Sequence, residues 1–280
     1  MSAPRIGVFD SGVGGLSVLR ALAEQMPLAD LHYVADSSHA PYGERSDQYV
    51  VARSLLVARH LIEAGAQTLV IACNTATAVA ASLLRESWPG VPIVGIEPGI
   101  KPALAQSRNG RIGVMATEGT LRSAKFRRLL EAHAGMRHVQ LQACPGLAAA
   151  IESGDLRGAV VAELVERYGT PLRAAGIDTL VLGCTHYPFV REQIQRTMGE
   201  GVAIIDTASA VARQAAVVST QFAGAPDDAI STRSVELQTT GDPEPLGRIA
   251  EHWLGFVGTV TVVPGTGVEP VRPLSRSGGF

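Results

Sequence analysis

Short apolar runs alternate along this chain with longer stretches whose apolar residues recur at helical spacing. Ile6–Phe9, Leu31–Ala35, Leu69–Ile71 and Ile93–Ile96 are each only a few residues long and are bounded by turn-forming or small residues. Runs of that length are too short for helices and read as strands, the continuous ones as strands buried on both faces of a parallel sheet. Between them the pattern predicts helices over Leu16–Gln25, over Asp47–Ala64 with Val51, Leu55, Ala58, Leu61 and Ile62 on the apolar face, and an Ala-rich helix over Asn74–Ser87. Further on come a helical run Ala148–Glu152, a helix Ala159–Tyr168 with a successor to Ala175, a strand Val235–Thr239, a helix Pro245–Leu254 and a strand Thr259–Val263. Strands alternating with helices predict an α/β fold with mostly parallel sheets.

The pattern is also doubled. AGAQTLVIACNT, Ala64 to Thr75, returns as AGIDTLVLGCTH, Ala175 to His186, with the cysteine and the Leu-Val pair unchanged. RIGVFDSGVGGLS from Arg5 returns in outline as RIGVMATEGTLRS from Arg111. The two repeats keep the same order and nearly the same spacing, so the chain reads as two similar α/β lobes related by internal pseudo-symmetry. Each presents one cysteine, Cys73 or Cys184, just past the carboxyl end of a strand, where open α/β sheets bind ligands. Glu97-Pro98-Gly99 and Lys101-Pro102 read as the crossing between lobes, and Asp206-Thr207 as the return. The expected organisation is a first lobe of 1–98 with 207–264, a second of 99–206, and a Pro/Gly/Ser-rich mobile tail over 265–280. The active site is expected in the cleft between the lobes.

Composition narrows the class. A chain of 280 residues that is 46% hydrophobic can bury two modest cores. With a net charge of −2 and no run of like charge, nothing points to nucleic acid or to an acidic membrane surface. No apolar stretch reaches transmembrane length and the N-terminus shows no signal-peptide pattern, so a cytoplasmic protein is expected. Three cysteines do not make a disulfide framework.

Asp10-Ser11-Gly12-Val13-Gly14-Gly15 follows the first strand and opens a helix, a geometry that lets backbone approach a small anion. The dinucleotide pattern GxGxxG is absent, however, which argues against a nucleotide. In Asp36–Gly43, Pro41 and Gly43 flank Tyr42 and stiffen a turn that either holds an aromatic hydroxyl at the rim of a site or is a plain surface turn. Glu152 ends a helical run, where most glutamates are merely solvated.

Two thiols presented from facing lobes suit proton transfer at one carbon, because a thiolate is both nucleophilic and a competent base near neutral pH. One could remove a proton from one face while the other returned a proton to the opposite face, inverting a stereocentre. Zinc binding would need paired ligand spacings that are missing, so no metal is expected. A redox pair wants CxxC, although the two thiols could still meet across a cleft. Burial as filler would not require the polar Asn-Thr and Thr-His that follow the two cysteines; Cys144 lacks such a context and is assigned to packing.

GVFDSGVGGLSV, PYGE, VIACNTATA, the T-x-G-T of Thr117–Thr120 and LGCTHYPF, in that order, resemble the cofactor-independent aspartate/glutamate racemases across Ile6 to Val263. The resemblance implies interconversion of L- and D-glutamate without a cofactor, with the D-enantiomer feeding peptidoglycan synthesis. It implies that Cys73 and Cys184 exchange protons with opposite faces of the substrate, assisted by Asp10 and His186 respectively, with Glu152 in an auxiliary acidic role. It further implies that Asp10, Ser11, Pro41, Tyr42, Gly43, Asn74, Thr75, Thr185 and His186 hold the substrate, with Thr117 and Thr120 in the matching second-lobe loop. A pyridoxal route needs a lysine in the site, and neither Lys101 nor Lys125, the chain's only lysines, is placed for it. The expected partner is therefore a small amino acid, with a homodimer allowed. Relatives acting on aspartate, hydantoin or malonate derivatives share the cysteine pair, and one methylene discriminates weakly. A two-lobed amino-acid binder and a thiol-redox protein stay open as other classes.

Overall fold

The computed structural model describes residues 3–135, 137–220 and 234–263. From the N-terminus the elements are β1 (Arg5–Asp10), α1 (Leu16–Gln25), β2 (Asp30–Ala35), α2 (Asp47–Glu63), β3 (Thr68–Ile71), α3 (Asn74–Ser87) and β4 (Ile93–Gly95). There follow α4 (Ile100–Gln106), β5 (Arg111–Ala116), α5 (Glu118–Arg122), α6 (Ala124–His133), β6 (His138–Ala143), α7 (Leu147–Glu152), α8 (Ala159–Ala174), β7 (Thr179–Gly183), α9 (Arg191–Met198) and β8 (Ala203–Ile205). The last are α10 (Ala208–Ser219), β9 (Val235–Thr239), α11 (Pro243–Leu254) and β10 (Val260–Val262).

The strands form two sheets, one ordered β10-β9-β2-β1-β3-β4 and the other β6-β5-β7-β8, and every pairing is parallel. The fold is α/β, as the alternation predicts. The repeat seen in the sequence reappears as register: β1 lies between β2 and β3 with Ile6 opposite Thr68, and β5 lies between β6 and β7 with Ile112 opposite Thr179. Side chains alternate across each sheet. Ile6 and Val8 face α1, α10 and α11, whereas Phe9, Leu69 and Ile71 face α2 and α3. In the second sheet Ile112, Val114 and Val181 pack with Ile100 and Leu104 of α4 and Phe126 of α6.

Two connections join the sheets and run side by side, with Thr207 Oγ1 donating to the Glu97 carbonyl at 3.0 Å. Lys101 and Pro102 do not belong to an extended crossing; they sit in the first turn of α4, where the N–H that proline lacks would have no helical partner. Ala159–Ala174 is likewise one helix rather than two. Pro171 removes one backbone bond near its end, but Val161, Val165, Tyr168 and Leu172 keep a continuous buried stripe across it. On α2 the buried face is Val50, Arg53, Ser54, Val57, Ala58 and Leu61, so Val51, Leu55 and Ile62 are only partly covered. The buried face also carries an ion pair, Arg53 to Asp36. The expected tail over 265–280 lies outside the described residues.

Candidate active site

Both cysteines emerge at the carboxyl ends of their sheets. Cys73 is the residue before α3 and its sulfur accepts the Ala76 N–H at 3.5 Å, so the thiol sits on the positive end of that helix. Cys184 directly follows β7. The two line a single small cavity together with Ser11, Pro41, Tyr42, Gly43, Asn74, Thr75, Thr117, Thr185 and His186. Its free volume is about 10 Å³, room for about one water. A larger cleft of about 830 Å³ between α8, α9 and α11 holds neither thiol. The smaller cavity is the candidate active site because both thiols line it.

Asn74 is the most telling residue of the lining. It is 5% exposed, and neither its amide oxygen nor its amide nitrogen has a hydrogen-bond partner. A buried unpaired amide is costly, and here it faces a cavity that a polar ligand would fill. Thr75, Thr117 and Thr120 form a hydroxyl triangle beside it: Thr75 Oγ1 lies 3.0 Å from Thr117 Oγ1 and 3.3 Å from Thr120 Oγ1, joining the two halves.

Asp10, Thr120 and Glu152 do not line the cavity and lie one layer behind it. Asp10 accepts Ser11 Oγ and the Gly12 N–H, both at 3.0 Å, and Thr185 Oγ1 from the other sheet at 2.8 Å. Its link to Cys73 runs through Ser11, whose hydroxyl lies 3.9 Å from the sulfur. Burial pushes the Asp10 carboxyl up, against the opposing pull of the His186 charge, Thr185 and the Gly12 N–H. Burial, then the Asp10 charge, also pushes the Cys73 thiol well above its ordinary value. On the other side His186 Nδ1 lies 3.7 Å from Cys184 Sγ, and His186 Nε2 lies 2.7 Å from Glu152 Oε2. Burial alone would lower the imidazole pKa, but its contacts with Cys184 and Glu152 outweigh that and hold it well above the ordinary value. His186 therefore bridges Cys184 and Glu152 through its two ring nitrogens.

Sequence reasoning missed Ser37, whose hydroxyl donates to Glu152 Oε1 at 2.8 Å, and Val13, whose N–H donates to both Glu152 oxygens at 2.9 and 3.2 Å. The glycine-rich turn does bind an anion, but the anion is the chain's own carboxylate. Ala148 and Gly183 also line the cavity without any polar signal to reveal them. Cys144 is buried and donates to the Gln142 carbonyl at 3.4 Å. Lys125 pairs with Glu97 at 2.8 Å, on the crossing rather than in the cavity. Among the described residues no group of three or more His, Cys, Asp or Glu could hold a metal, and no helix is long and apolar enough to cross a membrane.

The profile of the Asp/Glu/Hydantoin racemase family matches residues 6–215. The chain belongs to that family. Glutamate racemase of Pseudomonas paraeruginosa is 51% identical over 249 residues, 89% of this chain and 92% of that relative. Among solved structures, Escherichia coli glutamate racemase in complex with L-glutamate and the activator UDP-MurNAc-Ala superposes with a TM-score of 0.81 at 30% identity, covering 93% of this chain and 98% of that one. Francisella tularensis glutamate racemase in complex with D-glutamate gives 0.79 at 25% identity, covering 94% and 98%. These two solved structures share the fold described above over nearly its whole length.

Proposed function

We propose that this protein interconverts L- and D-glutamate, an isomerase reaction run by two thiols without an organic cofactor. The observation that carries the mechanism is that Cys73 and Cys184, presented by different sheets, line one cavity. The relatives that bind L-glutamate and D-glutamate support the choice of substrate.

In the forward step the thiolate on one side takes the α-proton, forming an S–H bond and leaving the electron pair on Cα. The thiol on the other side gives its proton to the opposite face and becomes the thiolate. Proton and charge balance, and the enzyme ends with its two sulfurs in exchanged states, ready for the reverse direction. The α-proton is much less acidic than a thiol, so charge developing at the α-carboxylate must be met by fixed donors. The unpaired Asn74 amide, the Thr75 hydroxyl and the free N–H groups at the start of α3 supply them. Residues 1–98 with 207–264 and residues 99–206 act as the two lobes that part to admit substrate and close to exclude water. The D-glutamate made is used in the cytoplasm for peptidoglycan.

Incubation with L-glutamate in D₂O, with no added cofactor, tests the reading: optical rotation falls to zero and the D-product carries deuterium at Cα. Retained rotation with no label at Cα would leave an amino-acid binder as the better account. Asp10→Asn is expected to lower kcat by roughly a hundredfold while KM moves only a few-fold, since Asp10 stands behind the lining and tunes proton transfer. Steady-state rates with both enantiomers check this, and an effect confined to KM would remove Asp10 from the chemistry.

A further inference from the structure

The turn between β1 and α1 has the shape of a socket. A Cβ on Gly12 would lie 2.1 Å from a Glu152 carboxylate oxygen, and one on Gly14 would lie 2.4 Å from His186 Nδ1. Gly12 has φ −169°, extended backbone open to any residue, so what its glycine provides is space. The socket is propped from behind. Tyr33, fully buried, donates its hydroxyl to the Gly12 carbonyl, and Ser17 Oγ donates to the Gly14 carbonyl at 2.8 Å.

Glu152 seats in this socket from the other half of the molecule. Its oxygens divide their partners by origin: Val13 N–H and Ser37 Oγ come from the half built on β1, and His186 Nε2 comes from Glu152's own half. Parting of the halves therefore breaks the first two contacts and spares the third. We propose that Glu152, docked against Gly12, Val13 and Ser37, is a clasp that holds the halves closed over the thiols, with Gly12 and Ser37 as positioning residues for racemisation. The clasp rests on the racemase reading for its kinetic consequences but not for its existence, which can be read without turnover.

Two contributions from Glu152 can thus be separated. A carboxylate acting only through His186 would be indifferent to Ser37, whereas a clasp would not. Ser37 is half-buried, and Ser37→Ala removes one hydroxyl donor while leaving the His186 contact in place. It is expected to lower kcat/KM roughly tenfold, the worth of one charge-assisted hydrogen bond, mainly through KM. The fall is the same for both enantiomers, because their equilibrium constant is one, and the pH profile of kcat/KM keeps its shape. Gly12→Ala, which puts a methyl where the carboxylate seats, is expected to have a larger effect of the same kind.

The readout without turnover is hydrogen exchange of the Val13 amide, which donates into the clasp. Its exchange is expected to quicken in Ser37→Ala and in Glu152→Ala relative to core amides of β1, with those core amides confirming that each variant is folded. The clasp is overturned if Val13 exchange is unchanged in both variants, or if Ser37→Ala and Gly12→Ala keep the parent KM. A parent that exchanges slowly at Val13 but does not racemise glutamate would instead overturn the functional reading and leave the clasp standing.

Discussion

Cys184→Ser and Cys73→Ser are each expected to leave less than about a thousandth of the parent racemase activity in both directions. A serine hydroxyl is far less acidic than a thiol, so it is neither a competent base nor a matched acid at the same position. Loss of either sulfur breaks the cycle, because racemisation needs one group to take a proton and the other to give one back. The half-reactions survive singly. On a glutamate analogue bearing a leaving group at Cβ, each variant is expected to catalyse elimination from the one enantiomer whose α-proton faces the remaining cysteine. Either serine variant racemising L-glutamate near the parent rate would end the two-thiol scheme, and so would elimination from both enantiomers by one variant.

The second large effect is on stability. Arg53→Met is expected to cost roughly 3–5 kcal/mol, read from urea unfolding, because it strips the cation from a carboxylate that has no access to water. Arg53 and Asp36 are both fully buried. The guanidinium holds Asp36 through two bonds, Nε at 2.9 Å and Nη2 at 2.7 Å, and the same carboxylate accepts the Tyr42 hydroxyl at 2.5 Å and Thr240 Oγ1 at 2.9 Å. Removing both charges in Arg53→Met with Asp36→Leu is expected to recover only part of the loss, because the Tyr42 and Thr240 hydroxyls then lose their acceptor. A single variant that loses less than about 1 kcal/mol would mean the pair is not what anchors this corner of the sheet. The corner matters to the site because Tyr42 and Gly43 rim the cavity, with Gly43 packed so closely on Thr117 that a Cβ there would lie 2.5 Å from the threonine's own.

What the sequence disclosed, and what it hid, divides along physical lines. Strand and helix placement was legible because a buried parallel strand must be a short apolar run and its covering helix must repeat with helical period. The thiols were legible because each interrupts that pattern with polar neighbours at a strand end. Arg53 was hidden: one arginine on an amphipathic helix looks like a surface charge, and only its partner seventeen residues away makes it a core residue. Lys101-Pro102, read as a crossing, and Ala159–Ala175, read as a helix with a successor, each fall in one continuous helix, since proline's local cost can be absorbed in a first helical turn or overridden by a buried stripe. The glycine turn reads as a place where backbone can approach a small anion, but no local rule could say that the Glu152 carboxylate, 139 residues away, would take that place. Gly12 and Ser37 gained a role only when the two halves were brought together.

The size of the cavity between the thiols also bears on how a ligand would come and go under the proposed function. With room for about one water, the cavity is too small for an amino acid until the halves part. A compound matched to the enclosed geometry would bind by slow onset and leave slowly, its residence time set by that parting rather than by diffusion. Potency measured after a brief preincubation would understate how firmly such a compound is held.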